Sequence, residues 1–168
     1  MFTRVSYVQE TVEDLNVAFG NLQGAGGHQT LQRRALKATL DNLYRLRAHR
    51  AEAQTYLRRS DSCDAGRITE GITYLRGVLT HHITKPVAPE NQPLYPGDDV
   101  YPSEDLFPGT NLTWLDASDV FRMQPQPAGG RRKVQAEFYR SHVGGRLVLS
   151  TIRVAREFLI NDSQLGPL

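Results

Sequence analysis

Val5-Ser-Tyr-Val-Gln-Glu-Thr-Val-Glu-Asp-Leu-Asn-Val-Ala-Phe-Gly-Asn-Leu22 is the stretch whose pattern decides the fold. Val5, Val8, Val12, Leu15, Phe19 and Leu22 recur at alternating steps of three and four, which sets all six on one stripe of a helix. Gly24-Ala-Gly-Gly27 then stops that helix, because glycine gives up helix stability and favours turns.

Working outward, the same periodicity returns. Leu31, Ala35, Leu36, Leu40, Leu43, Leu46, Ala53 and Leu57 give the segment from His28 to Arg59 an apolar side that drifts around the axis. No Gly or Pro interrupts it, so it reads as one continuous helix of more than roughly 40 Å at about 1.5 Å per residue. A third helix opens on an N-cap at Ser62 or Asp64 and carries Ile68, Ile72, Leu75, Leu79 and His82 on one stripe. It ends before Lys85-Pro86, since a residue preceding proline disfavours helix. Arg131 to His142 and Arg146 to Ile160 are two more helices, separated by Gly144-Gly145. The last has a broad apolar face, with Leu147, Thr151, Val154 and Phe158 beside Val148, Ile152, Ala155 and Leu159.

Residues 85–130 are of another kind, for eight of the nine prolines fall there. The pattern therefore predicts an all-α, four- to five-helix bundle forming a single domain over 1–168, with 85–130 as a long Pro-rich loop between helices. Within it, 111–123 reads equally as a short β-hairpin turning at Asp116-Ala-Ser-Asp119 or as an irregular loop. Trp114 and Phe121 would pack onto the helices in the hairpin.

A chain of 168 residues, 39% hydrophobic and 23% charged, is neither disordered nor a membrane span. The lone Cys63 excludes an internal disulfide and a Cys-rich metal site. The start, Met1-Phe-Thr-Arg-Val-Ser6, has no signal-peptide core, so a cytoplasmic setting is expected. Charge is uneven although the net is only +2. Residues 28–59 carry net +6, 85–119 net −6 and 131–146 net +4. Arg33, Arg34, Lys37, Arg45, Arg47 and Arg50 form a basic surface suited to nucleic acid, or simply the solvated face of a long helix.

Chemistry is most concentrated in Gly71-Ile-Thr-Tyr-Leu-Arg-Gly-Val-Leu-Thr-His-His-Ile83. Arg76 stands five residues before His81 and six before His82. A guanidinium and an imidazole brought together can bind a phosphate and move a proton, as metal-free RNA cleavage requires. On a straight helix these positions point roughly 120–140° apart, so a helix end or a two-fold partner must reunite them. Each residue also has a plainer role: Arg76 paired with Glu70 or Asp64, His81 at a helix C-terminus, His82 in the core or an interface. No P-loop, dinucleotide fingerprint or nucleophile elbow is present. The five histidines are scattered, leaving His81-His82 with Asp98 or Asp99 as the one metal grouping to weigh. No metal or cofactor is expected.

The Arg-x-x-x-x-His late in a helix before a proline-containing loop resembles the HEPN (higher eukaryote and prokaryote nucleotide-binding) superfamily. The tail Tyr139-Arg-Ser-His-Val-Gly-Gly-Arg-Leu-Val-Leu-Ser-Thr-Ile-Arg-Val-Ala-Arg-Glu-Phe-Leu159 resembles that of uncharacterised bacterial HEPN-like proteins. The likeness covers residues 28–84 and 136–160. It implies a metal-independent endoribonuclease of toxin or defence type, acting as a homodimer with its site at the dimer cleft, regulated by an antitoxin or other protein. Arg76 would hold the scissile phosphate, and His81 or His82 would carry the proton. Two positions depart from the family: Gly77, polar in active members, and Ile83, a tyrosine in one antitoxin-regulated branch. The alternatives are an inactive helical module binding nucleic acid or a protein, or a structural assembly subunit.

Overall fold

The computed structural model describes residues 4–26, 28–76, 83–86, 112–162 and 165. Described side chains begin at Tyr7 and leave out Gln29 and Pro86, so Val5 is placed by its backbone alone. The architecture is all-α. Among the described residues it comprises α1 (Arg4–Gly24), α2 (Gln29–Arg50), α3 (Gln54–Ser62), α4 (Asp64–Tyr74), α5 (Ala117–Met123), α6 (Gly130–Phe138) and α7 (Val148–Asn161). A π-helical turn, Tyr139–Val143, extends α6. Two three-residue strands, β1 (Thr84–Pro86) and β2 (Leu112–Trp114), pair antiparallel. No described helix is long and apolar enough to cross a membrane.

The opening stripe does what its spacing dictates. Val8, Leu15, Phe19 and Leu22 are buried, Val12 partly so, and α1 packs along α2. The helix stops at Gly24, and the buried Gln32 side chain donates to the Gly26 carbonyl, fastening the start of α2 to the turn. On α2, Leu36, Leu40, Leu43 and Leu46 face the core.

The continuous helix expected over 28–59 is broken. α2 ends at Arg50 and α3 begins at Gln54, with Ala53 in an extended conformation between them. No breaker residue causes this; tertiary anchors do. Arg50 is pinned by the Leu159 carbonyl, its Nε donating at 2.9 Å, while Tyr56 and Ser60 of α3 turn inward to full burial. A straight helix could not satisfy both, because the apolar side drifts around its axis.

α4 is the centre of the bundle. Eight of its eleven residues are buried, enclosed by α3, α6, the π-helical turn and α7. Its N-cap is neither Ser62 nor Asp64 but Cys63, whose Sγ accepts from the Gly66 N–H at 3.4 Å; Asp64 is the first helical residue instead. The helix ends at Tyr74, with Leu75 and Arg76 in a turn, well short of Lys85-Pro86. Leu79 and His82 of the expected stripe lie outside the described residues.

Neither reading of 111–123, short hairpin or irregular loop, describes the segment, which takes part in a longer-range arrangement. β2 pairs with β1 in the register Thr84↔Trp114, Lys85↔Thr113 and Pro86↔Leu112, and residues 117–123 are helix. β2 is also gripped from its other side, for Trp114 N–H donates to Arg146 O at 3.0 Å and Gly145 N–H to Trp114 O at 3.2 Å. Trp114 is fully buried, its Nε1–H donating to Thr151 Oγ1 at 2.6 Å. Phe121 is half-buried, edge-on to Tyr74. The rest of the Pro-rich segment, 87–111, lies outside the described residues. At the C-terminal end, Gly144-Gly145 makes the expected break, and α7 buries Val148, Thr151, Ile152, Ala155, Phe158 and Leu159.

Candidate functional site

The seam that α2 lays into the bundle runs Leu36, Leu40, Leu43, Arg47, Arg50, at steps of four and three. Its last two members are arginines, so two of the six cations assigned to a basic surface point inward. Arg47 Nε and Nη2 reach Glu70 Oε1 and Oε2 at 2.8 and 2.9 Å. Arg50, 5% exposed, serves the Leu159 and Leu165 carbonyls. Neither can meet a phosphate without abandoning those partners. Arg33, Arg34, Lys37 and Arg45 are exposed on α2, and Lys37 pairs with Asp41 at 2.9 Å.

Glu70 is the buried charge around which this end is built. It also accepts from Tyr56 Oη at 2.7 Å, Arg131 Nε at 3.1 Å and Gln135 Nε2 at 2.8 Å. Arg131 continues outward to Asp61 at 2.7 Å and to Ser60. Burial pushes the Glu70 carboxyl up, but the hydrogen bonds and charge of Arg47, with those from Gln135 and Tyr56, outweigh it and hold the pKa at about 2. Burial, then Glu70 itself, raises the Tyr56 phenol. With every acceptor site taken, Glu70 is a fastener between helices rather than a group with chemistry to spare.

The open site lies on the far side of α2. Tyr7 of α1, Asp41, Tyr44, Arg45, Ala48 and His49 of α2, Glu52 just beyond it, and Arg76 just beyond α4 wall a cleft of about 620 Å³. Asp41, Arg45, Ala48 and His49 share one wall because steps of three and four stack side chains on one helix face. Tyr44 closes the floor, its hydroxyl donating to the Ile72 carbonyl at 3.3 Å. Burial and then Asp41 raise the Tyr44 phenol, against the pull of the Arg76 and Arg132 charges.

Arg76 is exposed, and neither Glu70 nor Asp64 pairs with it: Glu70 holds Arg47 and Arg131, and Asp64 holds Arg67. Its backbone is fixed, with N–H donating to Thr73 O at 3.1 Å and its carbonyl accepting from Arg132 Nη2 at 3.2 Å. Arg132 lies over the Tyr74 ring and also donates to the Tyr74 carbonyl, capping the end of α4. His81 and His82 lie outside the described residues.

Two features were missed by sequence reasoning. Glu70 carried no mark beyond being a carboxylate in a helix whose neighbours are apolar. His49 carried one: it stands four residues after Arg45 on the exposed side of the basic helix. Among the described residues no group of three His, Cys, Asp or Glu could hold a metal ion. Comparison with known proteins gives no match to a family model, a curated protein or a solved structure.

Proposed function

We propose that the chain is a HEPN-like, metal-independent endoribonuclease working as a homodimer, with Arg76 binding the scissile phosphate. The observation that supports this reading is the exposed Arg76 guanidinium on an ordered turn, lining a cleft with Arg45 beside the exposed row Arg33, Arg34 and Lys37. A planar guanidinium on a fixed backbone suits the bidentate grip of a phosphate. In the reaction the 2′-oxygen attacks phosphorus and the P–O5′ bond breaks. His81 or His82 takes the 2′ proton and the other histidine returns one to the 5′-oxygen. The products are a 2′,3′-cyclic phosphate and a 5′-hydroxyl.

The test is digestion of single-stranded RNA in excess chelator. Arg76→Ala should lower the rate about 100-fold, and replacing both histidines by alanine about 100-fold or more. Equal rates in all three proteins would overturn the proposal. RNA binding that falls steeply with salt, without cleavage, would support the non-catalytic binding module instead.

A further inference from the structure

We infer that Arg132 and Arg140 hold backbone phosphates of the RNA next to the one at Arg76, and that they do so without reading its bases. This rests on the RNA-binding role proposed for Arg76 and names the surface along which the strand continues. The three arginines belong to one chain of contacts. Arg132 Nη2 donates to the Arg76 carbonyl at 3.2 Å and to the Tyr74 carbonyl at 3.1 Å, and its guanidinium stands over the Tyr74 ring, 5.0 Å from the centroid. The Tyr74 ring meets that of Phe121 on α5 nearly at right angles, with centroids 5.7 Å apart. The Arg140 guanidinium, carried by the π-helical turn, stands over the Phe121 ring at 5.1 Å.

The charge on this surface is unspent. Among the described residues no carboxylate or carbonyl takes the side chain of Arg76 or Arg140. Arg132 commits only Nη2, to the two carbonyls, so its Nε and Nη1 donors remain. The Arg76 and Arg132 charges both pull the Tyr44 phenol down against its burial, so their fields overlap there. Lys133 is exposed on the same helix. From Gly130 to Val143 the only acid is Glu137, and Asp119 of α5 is held by Arg122.

The rings set what is read. Tyr74 is fully buried and Phe121 half-buried beneath Arg140, so neither offers a bare face on which a base could stack. A ring attracts a guanidinium through its quadrupole and consumes none of its N–H groups, so Arg140 is restrained while its donors stay available to a phosphate. Arg132 and Arg140 stand eight residues apart on one helical rod, a rise of roughly 12 Å, so each takes a phosphate of its own. Contacts of this kind fix the register of a strand and carry no sequence information.

The experiment measures binding of a 2′-O-methyl oligouridylate and a 2′-O-methyl oligoadenylate, neither of which is cleaved, to the full chain over a range of salt. Arg140→Gln and Arg132→Gln should each lower the slope of log affinity against log salt by about 0.7, and the double variant by about 1.4, alike for both oligonucleotides. Arg140→Lys and Arg132→Lys should keep the wild-type slope. Because Arg132→Lys gives up the two carbonyl bonds but keeps the charge, a role confined to capping α4 would treat it and Arg132→Gln alike. Arg153→Gln, exposed on α7 one turn before the Arg156 that covers Phe19 of α1, should leave the slope as it is. Slopes unmoved in Arg132→Gln and Arg140→Gln, an equal drop in Arg153→Gln, or a wild type that binds neither oligonucleotide overturns the inference. If the slopes do not move while Arg76→Ala abolishes cleavage in chelator, the inference falls and the nuclease reading stands. If they fall as expected while Arg76→Ala cleaves like wild type, the surface stands and the nuclease reading falls.

Discussion

Arg47 grips Glu70 with two parallel hydrogen bonds, and α2 is thereby tied to α4, the helix packed against α3, α6, the π-helical turn and α7. Tyr56, Arg131 and Gln135 converge on the same carboxylate, so a single side chain joins α2, α3, α4 and α6. Removing it strands the Arg47 guanidinium, a phenol and an amide, and leaves Arg131 only its bonds to Asp61 and Ser60. Breaking a buried ionic cluster from one side costs about 3–5 kcal/mol. Glu70→Ala should lose stability in that range, and Glu70→Gln less, since an acceptor oxygen remains. Denaturant unfolding followed by the fluorescence of Trp114, the lone tryptophan, measures both; an unmoved midpoint for Glu70→Ala would refute the fastening role.

The same carboxylate sets a pH dependence. Its pKa falls from 4.5 unfolded to about 2 folded, so between those values the unfolded chain binds more protons. Stability from Glu70 is therefore complete above about pH 4.5 and is lost as the pH falls through about 2, by roughly 3 kcal/mol in all. Glu70→Gln should show a flatter acid limb than wild type in unfolding curves between about pH 6 and about pH 2. Parallel limbs would count against it.

Three glycines separate packing from helix propensity. A Cβ on Gly66 would stand 2.3 Å from Ser60 Cα, and one on Gly71 would meet Val143 Cγ2 at 2.8 Å and Tyr139 N at 3.0 Å. Nothing lies within 4 Å of the Cβ position at Gly20 in α1. Gly→Ala inside a helix ordinarily gains about 0.5–1 kcal/mol. Gly20→Ala should show that gain, whereas Gly66→Ala and Gly71→Ala should lose about 1–3 kcal/mol, Gly66 more because backbone must yield. Melting temperatures of the three variants give the order.

Thr151 is the acceptor for Trp114 Nε1–H at 2.6 Å in the interior. Thr151→Val keeps the shape but orphans that donor, at about 1–3 kcal/mol. Thr151→Ser should retain most of the stability. The indole N–H signal and its exchange rate report the bond directly, and an unchanged exchange rate in Thr151→Val would contradict it.

The fold was legible where local periodicity and core burial coincide. Val8, Leu15, Phe19 and Leu22 of α1 and the row Val148, Ile152, Ala155 and Leu159 of α7 read correctly because helical spacing alone places them, whereas in the row beside it Leu147 precedes the helix and is exposed. The break after Arg50 was not legible, since Ala51-Glu-Ala53 resists helix no more than its neighbours do; the cause is Arg50 and Tyr56 seeking partners far along the chain. Pairing of Leu112–Trp114 with Thr84–Pro86 was hidden likewise, because such short strands carry little local signal and their register comes from a distant partner. In the cleft, Arg76 was found by motif spacing. His49 was passed over because it lines the cleft from a different helix. Arg47 and Arg50 were counted as surface charge, although they continue the apolar seam of α2.

The ladder that sets Pro86 opposite Leu112 gives the bundle a practical freedom. Pro86, where β1 ends, and Leu112, where β2 begins, are held opposite each other, so this ladder fixes the two chain positions relative to one another. With both ends clamped, doubling the length between them costs only about 0.6 kcal/mol in loop-closure entropy, so a reporter peptide spliced between Pro86 and Leu112 should leave the Trp114–Thr151 latch closed.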